Sequence, residues 1–199
     1  MARPREFEEG IVLEAAMNCF WAHGYESTSV RDLAEEMGIT GASLYNAFGD
    51  KRALYQRALH HYLDQSVHDR VHRLEKLPPF PAIRAFFDEI IERSLSDKKH
   101  RGCMLVNSAV EVAPYDPQFR KVVTRELSYI ESFFERCTTA GQKNGTITTK
   151  QAAGELAKLL LGVLLGIRVL ARTRPQREVL EGAAKTALAL LKVDARVPS

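Results

Sequence analysis

Residues Thr28–Lys51 read TSVRDLAEEMGITGASLYNAFGDK, and the order of residue types along them decides the fold. Ser29 with Asp32 three positions on is a capping-box arrangement at a helix start. Val30, Leu33, Ala34 and Met37 follow at helical spacing as an inner face, and Gly38 stops that helix. Thr40 is placed to cap a second short helix, Gly41 to Phe48, in which Leu44 and Phe48 lie four apart and inward. Gly49 and Asp50 break and re-cap the chain. A helix, a glycine turn and a short helix make the plan of a helix-turn-helix, whose second helix enters the DNA major groove.

Reading a groove about 12 Å wide needs a helix whose backbone can come close at its start. Gly41, Ala42 and Ser43 supply small residues there. Tyr45 and Asn46 point away from the Leu44/Phe48 face; Asn can pair bidentately with adenine, and Tyr can meet a phosphate, a sugar or a thymine methyl. Lys51, opening the next helix, suits a phosphate clamp, which positions without specifying. Arg31, with Thr28 or Ser29 and the adjoining amides, is placed to hold the other side. Arg3 and Arg5 form a short arm of the kind that enters a minor groove.

Outward from this stretch the chain reads as all-α. Ile11, Ala15, Ala16, Cys19 and Phe20 give a first helix its apolar face, ended by Gly24. A long helix is expected from Lys51 to about Leu74, closed by Leu77-Pro78-Pro79-Phe80-Pro81. Further helices are expected at roughly 81–97, 102–113, 117–142, 149–172 and 175–193. No stretch alternates with period two, so no sheet is expected. The division is residues 1–52, DNA-binding, and 53–199, effector-binding and dimerising.

Bulk properties narrow the classes. The 199 residues, 45% hydrophobic and 27% charged, suit one large or two small globular domains. The charged start lacks a signal-peptide pattern, and the apolar run Leu159–Ile167 is too short for a bilayer, so a cytoplasmic protein without membrane contact is expected. Cys19, Cys103 and Cys137 fit reduced thiols rather than a disulfide or zinc framework. The net charge is +3, but residues 1–55 carry five Lys/Arg against nine Asp/Glu, so composition alone does not argue for nucleic acid. There is no Gly-x-Ser-x-Gly, P-loop, Gly-x-Gly-x-x-Gly or His-Glu-x-x-His, so neither an enzyme nor a cofactor is expected.

Gly24, Thr28-Ser29-Val30, Leu33-Ala34, Gly38-Ile39-Thr40, Leu44-Tyr45-Asn46-Ala47-Phe48 and Lys51 together resemble the N-terminal domain of the TetR/AcrR family of transcriptional regulators. The resemblance implies Thr40, Ala42, Ser43, Tyr45, Asn46 and Lys51 as DNA-contact positions. Members often carry a basic residue where Gly41 stands and a His where Ala47 stands. It also implies a repressor whose last two long helices pair with a second subunit in a four-helix bundle, on a palindromic double-stranded operator, released by a small-molecule or reactive effector.

Other features agree or compete. Residues 156–171 are apolar over more than one helix face, and Gly162 and Gly166 would allow close helix approach to a homodimer partner. Phe86, Phe87, Ile90, Met104, Val110, Tyr115, Phe119, Phe133 and Phe134 are either plain core or the lining of an effector cavity. Cys103, after His100-Arg101-Gly102 at a helix start, is either a reactive thiol or a buried inert one. The segment RGCMLVNSAVE resembles a subgroup of the family in which some members sense electrophiles or oxidants through a cysteine. Phe86, Cys103, Met104, Phe119 and Phe133 are the effector candidates. His61, Asp64, His68 and His72 form a stripe expected to face solvent rather than hold a metal. The competing functions are an effector-independent DNA-binding protein and an all-helical enzyme.

Overall fold

The computed structural model describes residues 8–193, so Arg3 and Arg5 lie outside the described residues. Every regular element among the described residues is helical: α1 (Glu9–His23), α2 (Val30–Glu36), α3 (Gly41–Phe48), α4 (Lys51–Leu63), a π-helical turn (Asp64–His68), α5 (Asp69–Leu74), α6 (Pro79–Ser96), α7 (Met104–Glu111), α8 (Pro117–Lys143), α9 (Ala153–Thr173) and α10 (Arg177–Ala189). The chain gathers into two compact units. The first takes the residues up to Ser66 together with Cys103–Lys121; the second takes Val67–Gly102 and the chain from Val122 onward.

In the first unit α1 packs along α4, and α2 and α3 close over them. The buried stripe of α1 is Val12, Ala16, Cys19 and Phe20, whereas Ile11 is 67% exposed, one position off the expected face. Phe20 meets the Tyr55 ring edge-on at 4.9 Å. Three polar contacts tie the α7 segment to this unit: the Tyr55 and Ser108 hydroxyls 2.8 Å apart, the Tyr25 amide donating to Glu111 at 3.1 Å, and Arg52 on Asp116. Gly24 sits at φ +84°, and a Cβ there would come within 2.9 Å of the Glu111 carboxylate. Only glycine combines that backbone with that neighbour.

The helix expected from Lys51 to Leu74 is interrupted by the π-helical turn. The cause lies in the burial pattern. Leu54-Tyr55, Ala58-Leu59, Tyr62-Leu63, Ser66-Val67, Arg70-Val71 and then Leu74 are buried at a repeat of four. In a regular helix a repeat of four drifts about 40° per step, and a wider turn takes up the accumulated drift. His61 and His68 are also less free than a solvent stripe: His61 Nε2 is 2.8 Å from Glu14 and His68 Nε2 is 2.7 Å from Glu126. Among the described residues no three His, Cys, Asp or Glu side chains gather where a metal would sit.

In the second unit α6 packs on α5, α9 and α10. It starts at Pro79 rather than at 81, because prolines in the first turn lack only amides that have no helical partner. Phe86, Phe87, Phe133 and Phe134 form one buried cluster, with ring centroids 5.1–5.8 Å apart. On α9 Leu156, Leu160, Leu164, Ile167 and Ala171 face inward. The opposite side carries Leu159 and Val169, 40% and 51% exposed, with nothing near either Gly162 or Gly166. No described helix is long and apolar enough to cross a membrane.

Candidate nucleic-acid interface

Two caps shape the turn between α2 and α3. Ser29 and Asp32 form the expected reciprocal box: the Ser29 amide donates to the Asp32 carboxylate at 2.8 Å and the Asp32 amide to the Ser29 hydroxyl at 3.1 Å. Those bonds from Ser29 hold the Asp32 carboxyl below its ordinary pKa. Gly38, at φ +63°, turns the chain, and Thr40 Oγ1 accepts from the Ser43 amide at 3.1 Å to start α3. Leu44 and Phe48 are buried beneath α3, and their burial fixes which side of the helix remains outside.

That outer side brings together most of the expected contact residues. Tyr45 is 53% exposed although it is large and aromatic. Thr40, Ala42 and Asn46 are exposed beside it, and Gly41 and Ser43 are half-buried at the helix start. Arg31 is exposed on α2. Lys51 is half-buried, its ammonium 4.5 Å from the centre of the Tyr25 ring and 3.4 Å from the Glu26 carbonyl, which holds the charge at the α1–α2 loop.

Thr28 departs from the expectation of a surface contact. It is 1% exposed and its hydroxyl donates to the Gly24 carbonyl at 2.6 Å. Its bond closes the loop; the exposed hydroxyl at the start of α2 belongs to Ser29. Arg57 is a residue that sequence reasoning passed over. Its guanidinium lies 4.7 Å over the Phe48 ring, reaches the Ala47 carbonyl at 3.5 Å and pairs with Glu9, so it ties the end of α3 to α4 and α1. Contacts between helices leave no periodic trace in a sequence, so no signal marked it.

A cleft of about 630 Å³ between α1 and α2 is lined by Cys19, His23, Ser27, Asp32, Glu35 and Glu36. Burial, then Glu36 and Asp32, push the Cys19 thiol up to about 11. This acidic wall repels phosphate, so a DNA backbone is favoured only on the α3 side.

The effector candidates fall in both units. Phe86 and Phe133 lie in the second, their rings 5.5 Å apart; Cys103, Met104 and Phe119 lie in the first. All five are buried. None lines the acidic cleft or the groove of about 520 Å³ between α6 and α10, which runs from Phe80 and Arg84 to Lys185 and Lys192. Val110 and Tyr115 cannot line an interior cavity, at 70% and 86% exposed; both follow the last inward turn of α7.

Residues 12–58 match the family of bacterial regulatory proteins called tetR, and residues 79–187 match the tetracyclin repressor-like C-terminal domain. The chain belongs to the tetR family. The chain is 31% identical over 196 residues to the uncharacterized HTH-type transcriptional regulator YezE of Bacillus subtilis, covering 96% of this chain and 100% of that one. It is 27% identical to the HTH-type transcriptional repressor ComR of Escherichia coli, covering 94% and 90%. A cysteine-substituted form of the TetR family regulator CifR, solved in complex with 26-bp operator DNA, superposes with a TM-score of 0.85 at 32% identity, covering 96% and 100%. This tetR-family chain is thus a helix-turn-helix, DNA-binding transcriptional regulator rather than an enzyme.

Proposed function

We propose that this tetR-family protein is a homodimeric repressor that holds a palindromic operator with one α3 helix per protomer and releases it when an effector reaches the C-terminal part of the chain. The observation that carries the proposal is the exposed row Thr40, Ala42, Tyr45 and Asn46 on a short helix anchored by Leu44 and Phe48. The operator complex of CifR, a relative over nearly the whole chain, supports it. Tyr45 and Asn46 would touch base edges or sugars. Lys51 and Arg31 would touch phosphates, with Thr40, Ala42 and Ser43 at the close approach of the helix start and Gly41 leaving room for the backbone. Thr28 would act by holding the loop.

Dimerisation is favoured by the outward side of α9, where Leu159 and Val169 flank two glycines that leave room for a second helix. Two-fold pairing sets two recognition helices on half-sites about one helical turn, or a multiple, apart. Such a repressor works in the cytoplasm, where its operator lies. Phe86, Cys103, Met104, Phe119 and Phe133 remain the effector candidates, and Cys103 is the one a reactive effector would attack.

The test is binding of the purified protein to a fluorescent duplex from its own upstream region, at two salt concentrations with unlabelled competitor. Specific, salt-sensitive binding that Tyr45→Ala removes is expected. Equal affinity for every duplex would overturn the repressor reading.

A further inference from the structure

The interior of the second unit holds positive charge that packing alone does not require. Arg70 on α5 and Arg168 on α9 are 5% and 4% exposed. Arg70 Nε donates to Glu89 at 3.1 Å, but the same carboxylate also takes both terminal nitrogens of Arg73, each at 3.0 Å. Arg168 Nη1 donates to the Ser94 hydroxyl at 3.0 Å, a neutral group that itself donates to the Ile90 carbonyl. Burial pulls the pKa of Arg70 down, the Arg168 guanidinium adds to that fall, and Arg93 pushes the same way against Glu89. Taking like-charged guanidiniums out of water is costly, and apolar residues of similar volume often serve stability better.

These cations adjoin an aromatic cluster. The Arg70 guanidinium lies 5.5 Å over the Phe86 ring, and Phe86 meets Phe133 at 5.5 Å and Phe134 at 5.1 Å. Planar donors that match a carboxylate thus stand beside a surface that matches an apolar body. We infer that the effector is a small organic acid, its carboxylate taken between Arg70 and Arg168 and its apolar part lodged against Phe86 and Phe133. The inference rests on reading the C-terminal part of the chain as effector-binding. Phe86, Phe133 and Phe134 are at most 1% exposed, so the site is closed without ligand. The acid binds a state in which this interior has parted, and its apparent affinity falls by the population of that state. An anion favours that state because it offsets the like charges.

The test uses the full-length protein with benzoate and hexanoate, their neutral amides benzamide and hexanamide, and inorganic phosphate. Melting temperature and operator release are both read. At least one acid, at about one hundred times its Kd, raises the melting temperature by about 5–10 °C, while its amide and phosphate do not. Arg168→Met removes that shift and Arg168→Lys keeps part of it; Arg70→Met repeats the comparison should Arg168→Met fail to fold. Equal shifts from acid and amide, no shift from either acid, or a full shift in the folded Met variant overturns the inference. Release of operator by a neutral compound, with no acid bound, leaves the effector reading standing and removes the acid. An acid that binds through Arg168 but never disturbs the operator complex keeps the site and removes its regulatory role.

Discussion

Arg52, the residue after the expected phosphate clamp, grips Asp116 through two parallel contacts, Nε to Oδ2 at 2.6 Å and Nη2 to Oδ1 at 3.0 Å. The same carboxylate accepts the Gln118 and Phe119 amides at the start of α8. The start of α4, where Lys51 sits, is thereby fixed to the segment that follows α7.

The Arg52 contact, with the two amides, holds the Asp116 carboxyl down to about 2. Its unfolded value is near the ordinary 3.9. A lowered folded pKa contributes stability that is present above about pH 4 and lost as pH falls toward 2. Asp116→Asn keeps a cap on α8 but cannot titrate. Melting curves between pH 5 and 2 are therefore expected to fall less steeply for this variant than for the parent; identical slopes would refute the coupling.

The capping box at Ser29 stands apart from the α3 surface, so its loss should register as stability. Ser29→Ala is expected to cost about 1 kcal/mol, a fall in melting temperature of about 2–4 °C for a chain of this size. Thr28→Val, which removes the bond to Gly24 from a residue 1% exposed, should also destabilise. An unchanged melting temperature in both would contradict the loop described here.

Burial raises the Cys19 and Cys137 thiols to about 11. Cys103 is also buried but immediately precedes α7, where a helix start favours the thiolate. Site-resolved mass spectrometry after brief alkylation at pH 7.5 should find Cys103 modified ahead of the other two. Uniform labelling, or Cys19 first, would count against Cys103 as the reactive position.

A carboxylate at the middle of a helix–helix contact is poorly tolerated, whereas a half-exposed position on a lone helix accepts it. Val169→Glu is expected to leave the circular dichroism spectrum unchanged and to halve the mass seen by sedimentation. A dimer that survives this change would place the interface elsewhere.

Much of the recognition unit was legible because its determinants are local. Caps at Ser29 and Thr40 and inward Leu44 and Phe48 lie within one or two turns of what they control. The π-helical turn was legible in principle, since the repeat of four in buried pairs is already present between Leu54 and Leu74. The burial of Thr28, the seat that Arg57 makes for Phe48 and the cluster of Arg70 with Arg168 were not legible. Each depends on which residue of another helix, far along the chain, arrives beside it.

The most direct test of the central claim is selection of bound duplexes from a random pool by the purified protein, read by sequencing. The predicted result is one enriched palindrome, with half-sites about one helical turn or a multiple apart, that neither Tyr45→Ala nor Asn46→Ala recovers. No enriched motif from folded protein, or the same motif recovered by both variants, would contradict recognition through the outer side of α3.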